Sequence, residues 1–101
     1  MSTVLYMYIP GLPTYVRLSD NANVIPLPGD RLCIEAETLS CPVSRRMLEA
    51  TPAYLCFERN GRTERISVAE FLKDCEVIVA SREWSFAGGI PACALNVDVE
   101  W

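Results

Sequence analysis

Residues 54–75 read YLCFERNGRTERISVAEFLKDC, and this stretch predicts a strand, a turn, a second strand and a helix in immediate succession. Asn60-Gly61 suits the two positive-φ positions of a type I′ hairpin turn. Such a turn sets Leu55 opposite Ile66 and Phe57 opposite Glu64, so that Leu55, Phe57 and Ile66 share one face while Cys56 and Arg65 share the other. Ser67-Val68-Ala69-Glu70 then has the form of a capping box, in which the Ser hydroxyl and the Glu carboxylate each accept an amide proton that a helix start leaves orphaned. Val68, Phe71, Leu72 and Cys75 recur at helical spacing and give that helix an apolar stripe. The run Glu76 to Ala80, EVIVA, predicts another strand.

Working outward, Thr3 to Ile9 is rich in β-branched and aromatic residues and is stopped by Pro10, Gly11 and Pro13. A second strand is expected at Tyr15 to Leu18. Residues 19–30, SDNANVIPLPGD, are dense in turn formers and predict a surface loop leading to a strand over Arg31 to Glu37. Pro42 and Ser44 favour a short helix to about Glu49, closed by Thr51-Pro52. The final run, Cys93 to Trp101, alternates: Cys93, Leu95, Val97, Val99 and Trp101 point one way, and Ala94, Asn96, Asp98 and Glu100 the other, as in a strand with one wet face. Together these elements give an α+β fold class, a mainly antiparallel sheet of five to six strands with one or two short helices packed on one face.

The chain has 101 residues, of which 50% are hydrophobic and 22% charged. That is ordinary globular usage for a single domain over 1–101, which buries roughly 60% or more of its unfolded surface. The formal net charge of −4 comes from carboxylates interspersed with arginines, not from a block. The apolar run Val4 to Ile9 ends at Pro10, too short for a membrane span or a secretory h-region, so a cytoplasmic location is expected. Five cysteines stand at 33, 41, 56, 75 and 93. An odd, widely spaced set reads as reduced, small core residues and not as a disulfide framework.

The chain contains no histidine, which excludes Cys-His and Ser-His-Asp catalysis. Cys41, four residues before Arg45-Arg46 and near a helix start, is the best-placed lone nucleophile, since nearby positive charge lowers a thiol pKa. Glu35 and Glu37, two apart on the expected strand, would be separated by about 7 Å, a spacing used by inverting glycosidases. A chain this small has little room for a sugar cleft, and solvated acids are the simpler reading. Zinc sites need ligand pairs close in sequence, whereas no two cysteines here are nearer than eight positions. Gly88-Gly89 runs into Ile90-Pro91 and no phosphate-loop motif is present. No enzyme activity, cofactor or metal is expected.

Arg59, Arg62 and Arg65 cluster at the predicted hairpin tip, with Arg45 and Arg46 as candidates to join them. Nucleic-acid binding through this arginine hairpin is the alternative function, opposed by Glu58, Glu64 and Glu49 among the arginines and by the acidic balance of the chain. The stronger signal is SREWSFAGGIP, residues 81–91, read as a loop that carries large aromatics. Arg82, Trp84 and Phe86 alternate and can project to one side, and Trp and Arg are favoured at interface hot spots; the other reading is a loop pinned to the core by its aromatics. Trp101 is open to the same two readings, and the Leu12 to Pro28 region, with Tyr15, Ile25 and Leu27, is a second proline-rich surface that suits a rim or an edge shield.

The expected function is therefore a small non-catalytic protein-binding module, an inhibitor or modulator of another protein. Phage or mobile-element inhibitors of bacterial defence nuclease complexes are one group of this kind. Arg82, Trp84, Phe86, Arg59 and Arg62 are the expected partner-binding residues. A structural subunit of a larger assembly is a further alternative, as is a homodimer through a sheet edge such as the N-terminal strand.

Overall fold

The β-branched and aromatic runs at the two ends of the chain become the centre of the sheet. In the computed structural model, which describes residues 3–101, the strands are β1 (Thr3–Tyr8), β2 (Val16–Ala22), β3 (Arg31–Leu32), β4 (Glu76–Ser85) and β5 (Ala92–Glu100). Two α-helices, α1 (Pro42–Ala50) and α2 (Val68–Lys73), lie between β3 and β4 in the chain. The sheet order is β2-β1-β5-β4-β3.

This is an α+β fold, but the sheet is mixed and not mainly antiparallel. The terminal strands β1 and β5 run parallel, with Leu5 beside Cys93 and Met7 beside Leu95. Alternation of apolar and polar residues assigns faces and is blind to strand direction, so this pairing was not readable from the pattern. The N-terminal strand is consequently interior, held by β2 on one side and β5 on the other. It offers no edge to a second copy.

One face of the sheet is covered. Met7 and Val77 bury with Leu48 of α1 and Val68 and Leu72 of α2, and Leu5, Val79, Cys93 and Leu95 continue the core along the same face. Helix α2 starts on the predicted Ser67 cap, where the Glu70 amide donates to Ser67 Oγ at 3.2 Å; the reciprocal bond from the Ser67 amide to the Glu70 carboxylate expected of a capping box does not form. Helix α1 begins with Pro42 at its first turn, where the missing N–H costs nothing.

The hairpin predicted over residues 54–66 does not form. Ala53–Leu55 is a short 3₁₀ turn, and it leads into a turn-rich loop closed at its base by Ala53 N–H to Ile66 O and Val68 N–H to Thr51 O. Asn60 does not enter the positive-φ region, which no non-glycine residue adopts among the described residues. Its side chain instead accepts from the amides of Arg62 at 2.8 Å and Thr63 at 3.1 Å, and the buried Thr63 hydroxyl donates to Glu58 O at 3.0 Å. Asn is as competent at this local side-chain turn as at a I′ hairpin. Tertiary packing decides between the two, because Phe57 stacks on Phe71 of α2 with centroids 4.6 Å apart and does not lie on a ladder beside Leu55 and Ile66.

Three other boundaries move. Strand β3 ends at Leu32 because its partner β4 begins at Glu76, next to the Leu32–Val77 pair; Ile34 and Ala36 are still buried, but from an irregular segment and a 3₁₀ turn. Strand β2 continues to Ala22 through polar residues expected in a loop, which an edge strand tolerates because one of its sides is wet. Strand β4 continues to Ser85, so Arg82 and Trp84 belong to a strand and only Phe86 to Pro91 form the turn. Gly88 and Gly89 take φ of +78° and +80° there, a conformation that suits glycine. Of the five free cysteines only Cys93 is buried, and Cys33 is exposed, which corrects their reading as core residues.

Candidate protein-binding face

The far end of β4 owes its orientation to one extra residue. Val79 pairs with Val97 and Ser81 with Asn96, so Ala80 is a bulge, which changes the facing of every side chain beyond it. Val77 and Val79 point into the core; after the bulge it is Arg82, opposite Leu95, and Trp84, opposite Cys93, that lie on that same side. At this end Trp84 remains 40% exposed and Phe86 70%. Their rings stack at 6.0 Å with planes 8° apart, and the Arg82 guanidinium sits 5.9 Å from the Trp84 centroid.

The strand carrying this stack is open along one side. Strand β3 pairs only with Val77 and Ile78, and Gly29 and Asp30 extend the hydrogen bonding to Val79. From Ser81 to Ser85, β4 has β5 on one side and, among the described residues, no strand on the other. Unpaired N–H and C=O groups along such an edge can accept another strand.

Arg59 and Arg62 are not brought to this face. Arg59 pairs with Glu64 at 2.8 Å and lies over Tyr54. Arg62 pairs with Asp74 at 3.5 Å and lies over Phe71. Asp74 precedes β4 and Trp84 lies near its end, eight residues on from Glu76, so the two groups are about 25 Å apart along the strand. The arginine cluster expected at a hairpin tip does not form: Arg59 and Arg62 are drawn into separate ion pairs on an irregular loop. Glu35 and Glu37 likewise do not share a strand face: Glu37 lies in a 3₁₀ turn and is bound by Lys73 Nζ at 3.1 Å.

Cys41 occupies the N-cap position of α1. The amide and hydroxyl of Ser44, the Val43 amide and the Arg17 guanidinium together hold its thiol below the ordinary pKa, against some desolvation. Burial pushes Cys56, Cys75 and Cys93 the other way. The surroundings favour a thiolate, but with no histidine in the chain there is no imidazole base to complete a catalytic pair. Among the described residues no cluster of three or more His, Cys, Asp or Glu side chains could hold a metal ion, and no helix is long and apolar enough to cross a membrane.

The sheet face opposite the helices carries a feature that sequence reasoning missed. Tyr6, Tyr8 and Tyr15 form a chain of rings with centroid separations of 6.1 and 5.6 Å. Beside it lies a pocket of about 340 Å³ bordered by Tyr6, Tyr15, Glu83, Trp84 and Ser85 and floored by Ala92 and Ala94. The alternation of the last run already placed Ala94 on the wet face of its strand. The parallel pairing that sets Tyr6 beside it was the missing link. Comparison with protein-family models, curated proteins and solved structures finds no match for this chain.

Proposed function

We propose that this protein works without catalysis, by binding another protein along the open end of β4 and thereby inhibiting or modulating it. The observation that carries the reading is the Arg82–Trp84–Phe86 stack, exposed on a strand whose edge is unpaired. An edge strand supplies main-chain hydrogen bonds that give affinity, and the side chains along it give specificity. Trp and Arg are the residue types most often found to dominate binding energy. Such a surface works by occupying its partner and needs no chemistry of its own. Five free cysteines fit a reducing compartment such as the cytoplasm.

The test is capture of a stoichiometric partner by the tagged protein, run beside Trp84→Ala and Phe86→Ala and read by mass spectrometry. Loss of the partner in both variants, with unchanged thermal unfolding, supports the reading. Equal retention by wild type and both variants sinks it.

A further inference from the structure

We propose that the pocket on the helix-free face of the sheet receives one arginine side chain of the protein partner; the proposal rests on the protein-binding reading above. The geometry comes from strand register. Tyr6 and Glu83 both pair with Ala94, one from each side, so the three stand abreast on the same face, with Tyr6 and Glu83 about 10 Å apart across two strand spacings. Ala94 between them, and Ala92 one step further along the same face, leave a trough where larger side chains would fill it. Tyr15 closes it beside Tyr6, at a ring separation of 6.1 Å.

The walls are chemically unequal in a way that selects a cation. On one side are two tyrosine rings, set edge-to-face at 64° to each other, and an aromatic ring attracts positive charge over its face. On the other is the Glu83 carboxylate, which has no ion-pair partner among the described residues, unlike Asp20, Glu37, Glu64, Asp74 and Glu76. A planar guanidinium can lie against an aromatic ring and present two N–H groups to a carboxylate at the same time, which an ammonium cannot do. Tyr6 already shows this affinity within the chain. The Arg17 guanidinium sits 5.6 Å from its centroid and donates to its hydroxyl at 3.3 Å. Arg17 is itself neutralised by Asp20 at 3.3 Å and does not border the pocket.

The volume of about 340 Å³ lies at the small end of the roughly 300–1,000 Å³ typical of ligand sites, which suits a single side chain. The position suits a protein source: Glu83 and Ser85 alternate with Arg82 and Trp84 on the open segment of β4. A partner strand laid along that edge would meet the Arg82–Trp84–Phe86 stack on one face and the Glu83 and Ser85 side of the pocket on the other, with Trp84 bordering both. The charge of the chain, −4 overall, favours approach of a basic surface.

The experiment uses the isolated protein. N-acetyl-arginine amide is titrated into ¹⁵N-labelled protein and compared with the isosteric, uncharged N-acetyl-citrulline amide and with N-acetyl-lysine amide. Expected are saturable amide shifts around Tyr6, Glu83 and Ala94 with the arginine probe alone, about threefold weaker in Glu83→Gln and absent in Ala94→Leu, whose added bulk fills the trough. Absence of saturation, equal response to citrulline or lysine, or an unchanged affinity in Glu83→Gln would overturn the proposal. Because no partner takes part, such a failure leaves the capture test at Trp84 and Phe86 standing. A partner retained by the Trp84 and Phe86 variants would refute the edge-binding reading even with a responsive pocket.

Discussion

The two ends of the long strand β4 repeat the same chemistry, an arginine over stacked aromatics, and put it to different use. At the beginning, Phe71 is fully buried, stacked on Phe57 and met edge-on by Trp101 at 5.3 Å, and Arg62 covers it at 5.3 Å while paired with Asp74. At the far end, Trp84 and Phe86 stack on each other in the open, and Arg82, 5.9 Å from Trp84, has no carboxylate partner among the described residues. The first group is built around a fully buried ring and a paired arginine, with Trp101 half-exposed at its rim. The second has spare ring faces, a spare charge and a bare strand edge. Residue type therefore does not separate a structural cluster from the one proposed for recognition; the two differ in whether the central ring is buried and the arginine is paired.

The contrast breaks most readily at Phe71. Phe71→Ala should cost about 3–5 kcal/mol of stability, the ordinary cost of emptying a buried aromatic site, whereas Trp84→Ala should cost about 1 kcal/mol or less; urea denaturation of both reads the difference, and equal losses would abolish the distinction. Partner binding should respond in the opposite sense. Once a partner is in hand, Trp84→Ala should weaken it by about 2 kcal/mol or more, roughly thirtyfold, in calorimetric titration, while Arg62→Ala leaves affinity unchanged. A third, smaller effect belongs to the buried end alone: Ser67→Ala removes the acceptor for the Glu70 amide and should lower stability by about 1 kcal/mol.

The smallest effect is electrostatic. Hydrogen bonding from its own amide and then Lys73 lowers the Glu37 pKa, and Glu37 raises that of Lys73. A lowered carboxylate pKa gives stability that is present above the unfolded value near 4.5 and is lost as pH falls through the folded value. The Lys73 contribution is present below 10.5 and is lost as pH rises through its raised value. Both groups are solvated, so the Lys73→Ala variant should differ from wild type only slightly at neutral pH, and less in high salt. Thiol chemistry offers an independent check on local fields: at neutral pH, alkylation followed by mass spectrometry should modify Cys41 before Cys56, Cys75 and Cys93, in line with the opposite directions of their pKa shifts.

The legible part of the sequence was local. The Ser67 cap, the Pro42 helix start, the alternation after Cys93 and the strand at Glu76 each depend on neighbours a few residues away, and each appears in the structure. The illegible part depends on partners distant in the chain. Asn60-Gly61 satisfies two turn geometries equally well, and Phe71 decides between them. The direction of β1 relative to β5 leaves no trace in either run. The candidate site divides in the same way. The one-sided projection of Arg82, Trp84 and Phe86 was readable from their spacing, but the strand beneath them, the bulge that aims them and the separation of Arg59 and Arg62 from them were not.

The bulge at Ala80 also has a genetic reading. Removing its codon would leave Val79 opposite Val97 and Ser81 opposite Asn96, the pairing the strand already has, so this is a point in β4 where the chain can lose a residue and keep both halves in register. Upstream of it, Val77 and Val79 answer to the core; downstream, Arg82 and Trp84 answer to whatever they meet. The two halves are thus joined by a seam at which one residue can be lost without shifting the register of either.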